Sequence, residues 1–387
     1  MRILSANISG FRNLKESSFT FSPRVNLVLG RNGEGKTNLL EALNYLALGR
    51  SHRGSRSEEM IAFAGDALHV ALEVEEDSGS VLNCEFGLDR EQGRRFRIDG
   101  ALVQRRADLV GRLVTVFFNP DSISLVRGAP QLRRQFVDQG LAELDGLFLT
   151  HLTAFQRTLR QKTGLLRDLK LHRVEHGQAR RELSAWNREL ADHAAAVYAG
   201  RAEYATLLNP FAGLNHKSLT DNELKLDFIY RPRLECVAKK LREDPEKPLL
   251  KTDLEGEIFT EIDYIMDSEI RRGRPLAGPQ LDDFEVTAGG VDLRVYGSQG
   301  ETRTAAIAMI LARSDVLYQK RKIRPVLFFD DIFSELDTDR AGRLQEMSSS
   351  RHQVFVATAR AEDIAGWQPA ELKTWNVQGG AFREAAE

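Results

Sequence analysis

The chain has 387 residues, 42% of them hydrophobic and 28% charged; at roughly 150 residues per domain this predicts two or three globular domains and excludes a mini-scaffold, a collagen-like repeat and a wholly disordered chain. Two cysteines, Cys84 and Cys236, cannot build a disulfide framework or a four-ligand zinc site, and they fit a reducing compartment. Lys and Arg total 54 against 56 Asp and Glu, a formal net charge of −2, so any contact with nucleic acid must come from local patches.

Extended segments are predicted over 2–9, 24–30, 69–76, 80–88, 94–98 and 112–118, from alternation or β-branched content. Residues 37–48, TNLLEALNYLAL, carry Leu39, Leu40, Leu46 and Ala47 near helical spacing, directly after a glycine-rich turn. Between Pro130 and Pro210 there is no proline, and apolar residues recur with a helical period: Phe148, Leu152, Phe155 and Leu159, then Leu183, Trp186, Leu190 and Val197. Trp186 is read as core. Gly164 and Gly177 are expected to break this region into antiparallel helices, a compact bundle with too few heptads for a long arm. Residues 224–230 alternate like a strand, and 239–256, charged and holding Pro245 and Pro248, read as a loop or linker. From about 283 an α/β pattern returns: a turn at 297–300, a helix over 301–320, and strands at 325–329 and near 353–357. The expected class is α/β, with one domain built from both chain ends (1–122 and 283–387) and a mainly helical inserted lobe over 123–282. No signal peptide opens the chain, and no apolar run reaches the ~18–20 residues of a membrane helix. A cytoplasmic protein without a membrane role is expected.

The sharpest motif is GRNGEGKT, the run Gly30, Arg31, Asn32, Gly33, Glu34, Gly35, Lys36, Thr37, which fits G-x-x-x-x-G-K-[ST] between an apolar strand and a helix. Glycines let backbone N–H groups wrap a phosphate tail while the positive helix end faces it. Lys36 reaches the β- and γ-phosphates, and the Thr37 hydroxyl suits Mg²⁺. Its partner is PVLFFDDIFSELD, an apolar strand ending in Asp330 and Asp331; carboxylates at such a strand end face a nucleotide crevice. Asp330 is the expected Mg²⁺ partner, and Asp331 the group that orients or deprotonates the attacking water. In YGSQGETRT, Ser298 and Glu301 make an S-x-x-E capping pattern. That helix start either caps itself or offers Ser298, Gln299, Gly300 and Glu301 to the γ-phosphate of a nucleotide held by a second molecule.

These three elements, in this order and split by a helical insertion, resemble the ATPase head shared by ABC-type enzymes and SMC proteins. More closely, FRNL at 11–14, GRNGEGKTNLLEAL, SHR at 51–53, FFNPDSISLVRGAP, RRQFVD at 133–138, RRG at 271–273, GSQGETRT and DDIFSELD resemble the RecF recombination mediators of bacteria. The resemblance implies an ATP-dependent homodimer in which the signature Ser298–Glu301 and Asp337 of one copy meet the phosphate loop of the other. It implies Arg12 and Asn13 near the phosphates, Mg²⁺ as cofactor, and double-stranded or gapped DNA with RecR and RecO as partners, in support of recombinase loading. An SMC-type structural head and a transporter's nucleotide-binding subunit are the alternatives. The first lacks its long heptad arms here, and the second lacks its switch histidine, which Thr358 replaces at the end of the strand QVFVAT.

Asp331 is one methylene shorter than the Glu usual in ABC enzymes, which with Thr358 implies slow hydrolysis. Gln280 and Leu281 stand where the family usually carries His-Arg. Candidate DNA contacts are Arg94, Arg95 and Arg97, Arg105 and Arg106, Arg133 and Arg134, Arg271, Arg272 and Arg274, and residues 320–322. Among the histidines, His52, His151, His172, His176 and His193 raise the question of a metal site; His172 and His176 share a helical face at i, i+4 but lack a third ligand nearby in sequence, which favours a solvated surface.

Overall fold

The computed structural model describes every residue except 64, 221–223, 365, 386 and 387, and the side chains of His176 and Gln178 also lie outside the described set. It divides into two compact units: Met1–Ile123, Leu214–Glu223 and Gln299–Glu387 form the first, Ser124–Gly213 and Leu224–Ser298 the second.

The first unit begins with β1 (Arg2–Ser9), β2 (Ser17–Thr20), β3 (Val25–Leu29), α1 (Lys36–Leu48), β4 (Ala67–Glu75), β5 (Val81–Asp89), β6 (Gly93–Ile98), β7 (Ala101–Val103), α2 (Arg106–Leu109) and β8 (Thr115–Phe118). The second holds α3 (Ser124–Arg127), α4 (Pro130–Leu144), α5 (Gly146–Lys170), α6 (His176–Thr220), β9 (Leu226–Arg231), α7 (Glu235–Glu243), α8 (Lys251–Tyr264), α9 (Met266–Arg272), β10 (Asp283–Ala288), β11 (Val291–Asp292) and α10 (Leu293–Tyr296), the last turns of α6 belonging to the first unit. The chain then returns to the first unit with α11 (Gln299–Arg321), β12 (Val326–Asp330), α12 (Thr338–Ser349), β13 (Val354–Thr358), β14 (Leu372–Gln378) and β15 (Ala381–Glu384).

Two six-stranded sheets frame the first unit among the described residues. One runs β2-β1-β4-β5-β6-β7, antiparallel throughout; the other runs β15-β14-β3-β13-β12-β8 and is parallel except at β15. Their sequences differ for a physical reason. On β4, Leu68, Val70, Leu72 and Val74 alternate inward with exposed or partly exposed neighbours, as a sheet with one wet face demands. On β12 and β13 every residue is buried, so VLFFD and VFVAT read as continuous apolar runs. Helix α1 touches β4 and β5 of one sheet and β8, β12 and β13 of the other. Sandwiched this way, it buries polar Glu41 and Asn44 as well as Leu39, Leu40, Leu43 and Leu46. One apolar cluster runs from Ile3 and Val70 through Leu40 and Leu43 to Phe328 and Phe355.

In the second unit α5 and α6 form an antiparallel hairpin. His151 meets His193, Thr158 bonds Glu189, and Leu166 clusters with Leu183, so numbers rise along one helix as they fall along the other. The break between them lies at 171–175, and Gly164 sits inside α5 while Gly177 opens α6. A lone helix glycine costs only about 1 kcal/mol, which the packing of Leu166, Leu169 and Leu183 outweighs. Nor does Pro210 end the helix, because the Asn209 side chain exchanges both of its amide hydrogen bonds with the backbone of Phe228 on β9, at 3.1 and 2.6 Å, and pins the chain there. At 25 residues, α5 spans roughly 37 Å, a short hairpin and not an arm.

Trp186 is only half-buried; the interior position beside it is Asn187, bonded to Asp263 at 3.0 Å. The expected linker at 239–256 is mostly α7 and α8, whose charged faces pair through Lys240 and Glu257, and the true loop is the proline-containing 244–250. The sequence placed the second junction at 283, but Asp283–Ala288 is the middle strand of the order β11-β10-β9, and the division between units falls after Ser298.

Candidate functional site

Between β3 and α1 the chain turns through residues 30–35, and its glycines answer to specific neighbours. A Cβ on Gly30 would lie 2.5 Å from Val377 Cγ1, and Gly35 has φ of 121° with Asn13 and Leu14 against it. The turn between β14 and β15 holds the other side. Glu34 accepts from the Gly379 N–H through its carboxylate and from the Gly380 N–H through its carbonyl at 3.0 Å, while Lys15 N–H donates to Gly380 O at 2.9 Å. The sequence reading missed this C-terminal hairpin. Its signal was the Gly-Gly pair at 379–380, a two-residue turn between short alternating segments.

Lys36 is 4% exposed and donates to Gly30 O at 2.8 Å, Arg31 O at 3.3 Å and Asn32 Oδ1 at 3.2 Å, so three loop oxygens hold its ammonium. The Thr37 hydroxyl donates to Asp330 Oδ1 at 2.9 Å. Asp330 ends β12 and is 7% exposed. Burial pushes its carboxyl up to about 6, the Thr37 bond pulls it down, and the Asp331 charge beside it pushes it further up. Asp331 has φ of 51°, a left-handed backbone for a non-glycine residue, fixed by its N–H on Ala357 O at 2.9 Å. Lys36, Thr37 and Asp331 line a cleft of about 770 Å³ together with Arg12, Asn13 and Asn38.

Arg12 also has a left-handed backbone, φ 49°. It forks onto Glu41 of α1 at 2.7 and 3.0 Å and reaches Ser55 Oγ at 3.0 Å. Burial raises the Glu41 carboxyl, but hydrogen bonds from Arg12 and from Ser51, at 2.6 Å, bring it below the usual carboxylate range. Arg53 donates to Asn38, Asn38 to Asn13 at 2.7 Å, and Asn13 to Gly33 O at 3.1 Å. FRNL, SHR and the start of α1 therefore form one polar net around the phosphate loop. Asn38, Glu41 and Arg53 were not singled out from sequence, although NLLE and SHR contain them. His52 stacks on Phe117 at 4.0 Å, where burial lowers its pKa to about 4.

The family model described as RecF/RecN/SMC N terminal domain matches residues 2–372. The DNA replication and repair protein RecF of Shouchella clausii is 31% identical over 387 residues, covering 99% of each chain. The chain belongs to the RecF family. RecF of Ligilactobacillus salivarius is also 31% identical, over 99% of this chain and 98% of its own. A solved structure of the recombination mediator RecF with ATP aligns at TM-score 0.88 and 25% identity, over 100% of this chain and 98% of that one. An SMC head bound to a winged-helix domain of ScpA aligns at TM-score 0.57 and 15% identity, which shows the shared fold. The RecF-family fold here is thus the ABC-type ATPase head, with a helical insertion in place of a long coiled coil.

Other motif residues lie outside this cleft. Ser298 is exposed at the end of the second unit, and exposed Gln299 opens α11 in the first. Arg303 donates to the Glu335 carbonyl at 2.5 Å and to its carboxylate, and a Cβ on Gly300 would sit 3.1 Å from Arg340 Nη1. Asp337 caps α12 by accepting from Arg340 N–H at 2.9 Å. The first turn of α11 and the Glu335–Asp337 segment are thereby joined. None of Ser298, Gln299, Gly300, Glu301 or Asp337 lines the cleft as described.

The basic clusters separate. Arg133 is 1% exposed, forked onto Asp283 at 2.7 and 3.1 Å, and bonded to the carbonyls of Val126 and Gly128; it is an interior residue, not a DNA contact. Arg134 is half-buried and donates to Asp282 O at 2.6 Å, which also removes it as a free cation. Arg94, Arg95 and Arg97 are exposed on β6. Arg105 is exposed but forked onto Asp108. Arg106 has its pKa lowered to about 10, by burial first and then by Arg50 and Arg94 nearby.

After Gln280 and Leu281, Asp282 is buried within a network of Tyr230, at 2.5 Å, Arg201 at 3.1 Å and the Arg233 N–H at 3.0 Å, and burial pushes its carboxyl up to about 6. Thr358 ends β13 bonded to Asp363 at 2.6 Å. His172 has a left-handed backbone before α6 starts, so it does not share that helix's face; the His176 side chain is outside the described residues.

Proposed function

We propose that this RecF-family chain binds ATP with Mg²⁺ in the cleft at Gly30–Thr37, joins two copies on duplex DNA while ATP is bound, and hydrolyses it slowly to let them part. The carrying observation is the Thr37–Asp330 bond, in which two oxygen donors 293 residues apart meet at the start of α1. A hydroxyl and a carboxylate suit Mg²⁺, and a buried carboxyl pushed up to about 6 is one that a divalent cation would ionise. Bound Mg²⁺ would neutralise charge on the phosphate oxygens.

The chain's own residues do the rest. Lys36 exchanges its loop oxygens for the β- and γ-phosphates, and the loop N–H groups with the positive end of α1 face the same charge. Asp331, fixed by its backbone bond to Ala357, orients the attacking water and takes its proton. Arg12 and Asn13 brace the loop, with Arg12 already committed to Glu41. The signature residues Ser298, Gln299, Gly300 and Glu301, with Asp337, act on the nucleotide of the partner copy. Arg94, Arg95, Arg105 and Arg106 meet DNA phosphates at gapped or junction DNA. Cytoplasmic action with RecR-like and RecO-like partners, supporting recombinase loading, completes the reading.

Mass in solution tests it, measured without nucleotide, with ATP and Mg²⁺, and with added gapped duplex. The native chain is expected to be monomeric until ATP is present and to dimerise more readily on DNA. Lys36→Ala is expected to stay folded and monomeric throughout. A dimer that ignores ATP, or one that Lys36→Ala still forms with ATP, would refute the clamp.

A further inference from the structure

The helical unit holds a cluster that the nucleotide chemistry does not use. His151 lies on α5, Asp192 and His193 lie on α6, and all three are half-buried. His151 Nδ1 is 3.0 Å from His193 Nδ1, and His193 Nδ1 is 3.1 Å from Asp192 Oδ2. One ligand atom from each residue falls within 4.8 Å of the other two.

Ordinary hydrogen bonding serves this arrangement poorly. If His193 Nδ1 carries a proton, that proton is shared between the His151 nitrogen and the Asp192 carboxylate; if it does not, its lone pair faces the carboxylate's. A cation among the three satisfies every lone pair at once. Two Zn–N bonds of 2.0–2.1 Å at a tetrahedral angle separate their nitrogens by roughly 3.3 Å, close to the spacing here. Lys251, the first residue of α8, pairs with the other carboxylate oxygen, Oδ1, at 2.5 Å, which leaves Oδ2 turned to the imidazoles.

We propose that His151, Asp192 and His193 bind a transition-metal dication of the Zn²⁺ class, with water in the fourth position, and that the ion clips α5 to α6. Two imidazoles and one carboxylate favour Zn²⁺ and its first-row neighbours over Mg²⁺ and Ca²⁺, which prefer oxygen ligands. This site stands apart from the Mg²⁺ expected with ATP, and its test does not depend on ATP chemistry.

Full-length protein titrated with Zn²⁺ against a chromophoric chelator provides the test, with Co²⁺ as a spectroscopic probe of geometry. The native chain is expected to bind Zn²⁺ at least about tenfold more tightly than His151→Ala or His193→Ala, with excess Mg²⁺ failing to compete. Bound Co²⁺ is expected to show the intense visible bands of a four-coordinate ion, lost in both variants. Circular dichroism and ATP binding check that the variants fold; should either unfold, His151→Gln and His193→Gln replace them. Equal Zn²⁺ affinity in the native chain and the variants, or Co²⁺ bands that survive both substitutions, would overturn the proposal and leave a shared-proton contact.

Discussion

Asp330 holds a carboxyl that burial pushes up to about 6, against about 3.9 in an unfolded chain. Between these values the unfolded chain binds fewer protons than the folded one, so stability is full below pH ~4, falls as pH rises through 6, and is flat beyond. The cost at neutral pH is about 3 kcal/mol. Asp330→Asn is therefore expected to raise the melting temperature of the nucleotide-free protein at pH 7.5, to change it little at pH 4, and to abolish hydrolysis. A melting temperature unchanged at both pH values would contradict the shifted carboxyl. Arg133 and Arg95 provide a second contrast. Arg133 is 1% exposed while its partner Asp283 keeps 30% of its side chain exposed, so Arg133→Ala should cost roughly 2–4 kcal/mol, somewhat under the range for a fully buried pair. Arg95→Ala, at an exposed position on β6, should leave stability unchanged and reduce the salt slope of DNA binding by about 0.9, one phosphate contact. Urea unfolding and a DNA titration at several salt concentrations measure both. The sequence offered these two arginines as the same kind of residue, because a pair of cations looks alike whether it faces solvent or an Asp 150 positions away.

At the scale of elements, the glycine turn after β14 clamps the phosphate loop. Gly380 has φ of 76°, and a Cβ there would sit 1.9 Å from Asn13 O; Gly379 has φ of 52° but nothing within 4 Å. Gly379→Ala carries backbone strain alone, about 1–2 kcal/mol. Gly380→Ala must also push the hairpin off the Asn13 turn, and it is expected to weaken ATP binding at least tenfold, or about 1.4 kcal/mol, while Gly379→Ala stays within twofold. Equal affinity in the two variants, measured by calorimetry, would show that the clamp does not shape the loop. Legibility divides along the same line. The strand, loop and helix at 25–48 were readable because local spacing determines them, and β12 because a strand buried on both faces is an unbroken apolar run. Helix α6 continuing past Pro210 was not, since Asn209 finds its partner on β9. The helical parts of 239–256, on either side of the loop 244–250, were missed because charged faces that pair with each other look like solvated linker in one dimension. Within the site, Glu41 escaped notice because its charge is explained only by Arg12, Ser51 and Arg53 arriving from elsewhere.

At the scale of the whole molecule, the cleft holds Lys36, Thr37 and Asp331, while the exposed signature residues Ser298 and Gln299 do not line it. If, as proposed, the cleft and the start of α11 act as the two halves of one nucleotide site, two copies related by a two-fold axis would complete that site twice. Mixing two defective proteins tests this directly. Lys36→Ala removes the phosphate-binding half and Ser298→Arg the signature half, so a pair of identical copies would have two ruined sites and neither variant is expected to dimerise alone. In a mixed dimer both defects fall in one composite site and the other site is whole. Only the mixed pair has an intact site to close on ATP, so dimers should reappear on mixing and hydrolysis should return to at most about half of the native rate. If both halves belonged to one copy, every site would keep its own defect and mixing would restore nothing. Full-length proteins mixed with ATP, Mg²⁺ and gapped duplex, then assayed for phosphate release against each variant alone, distinguish the two arrangements without requiring either variant to be active.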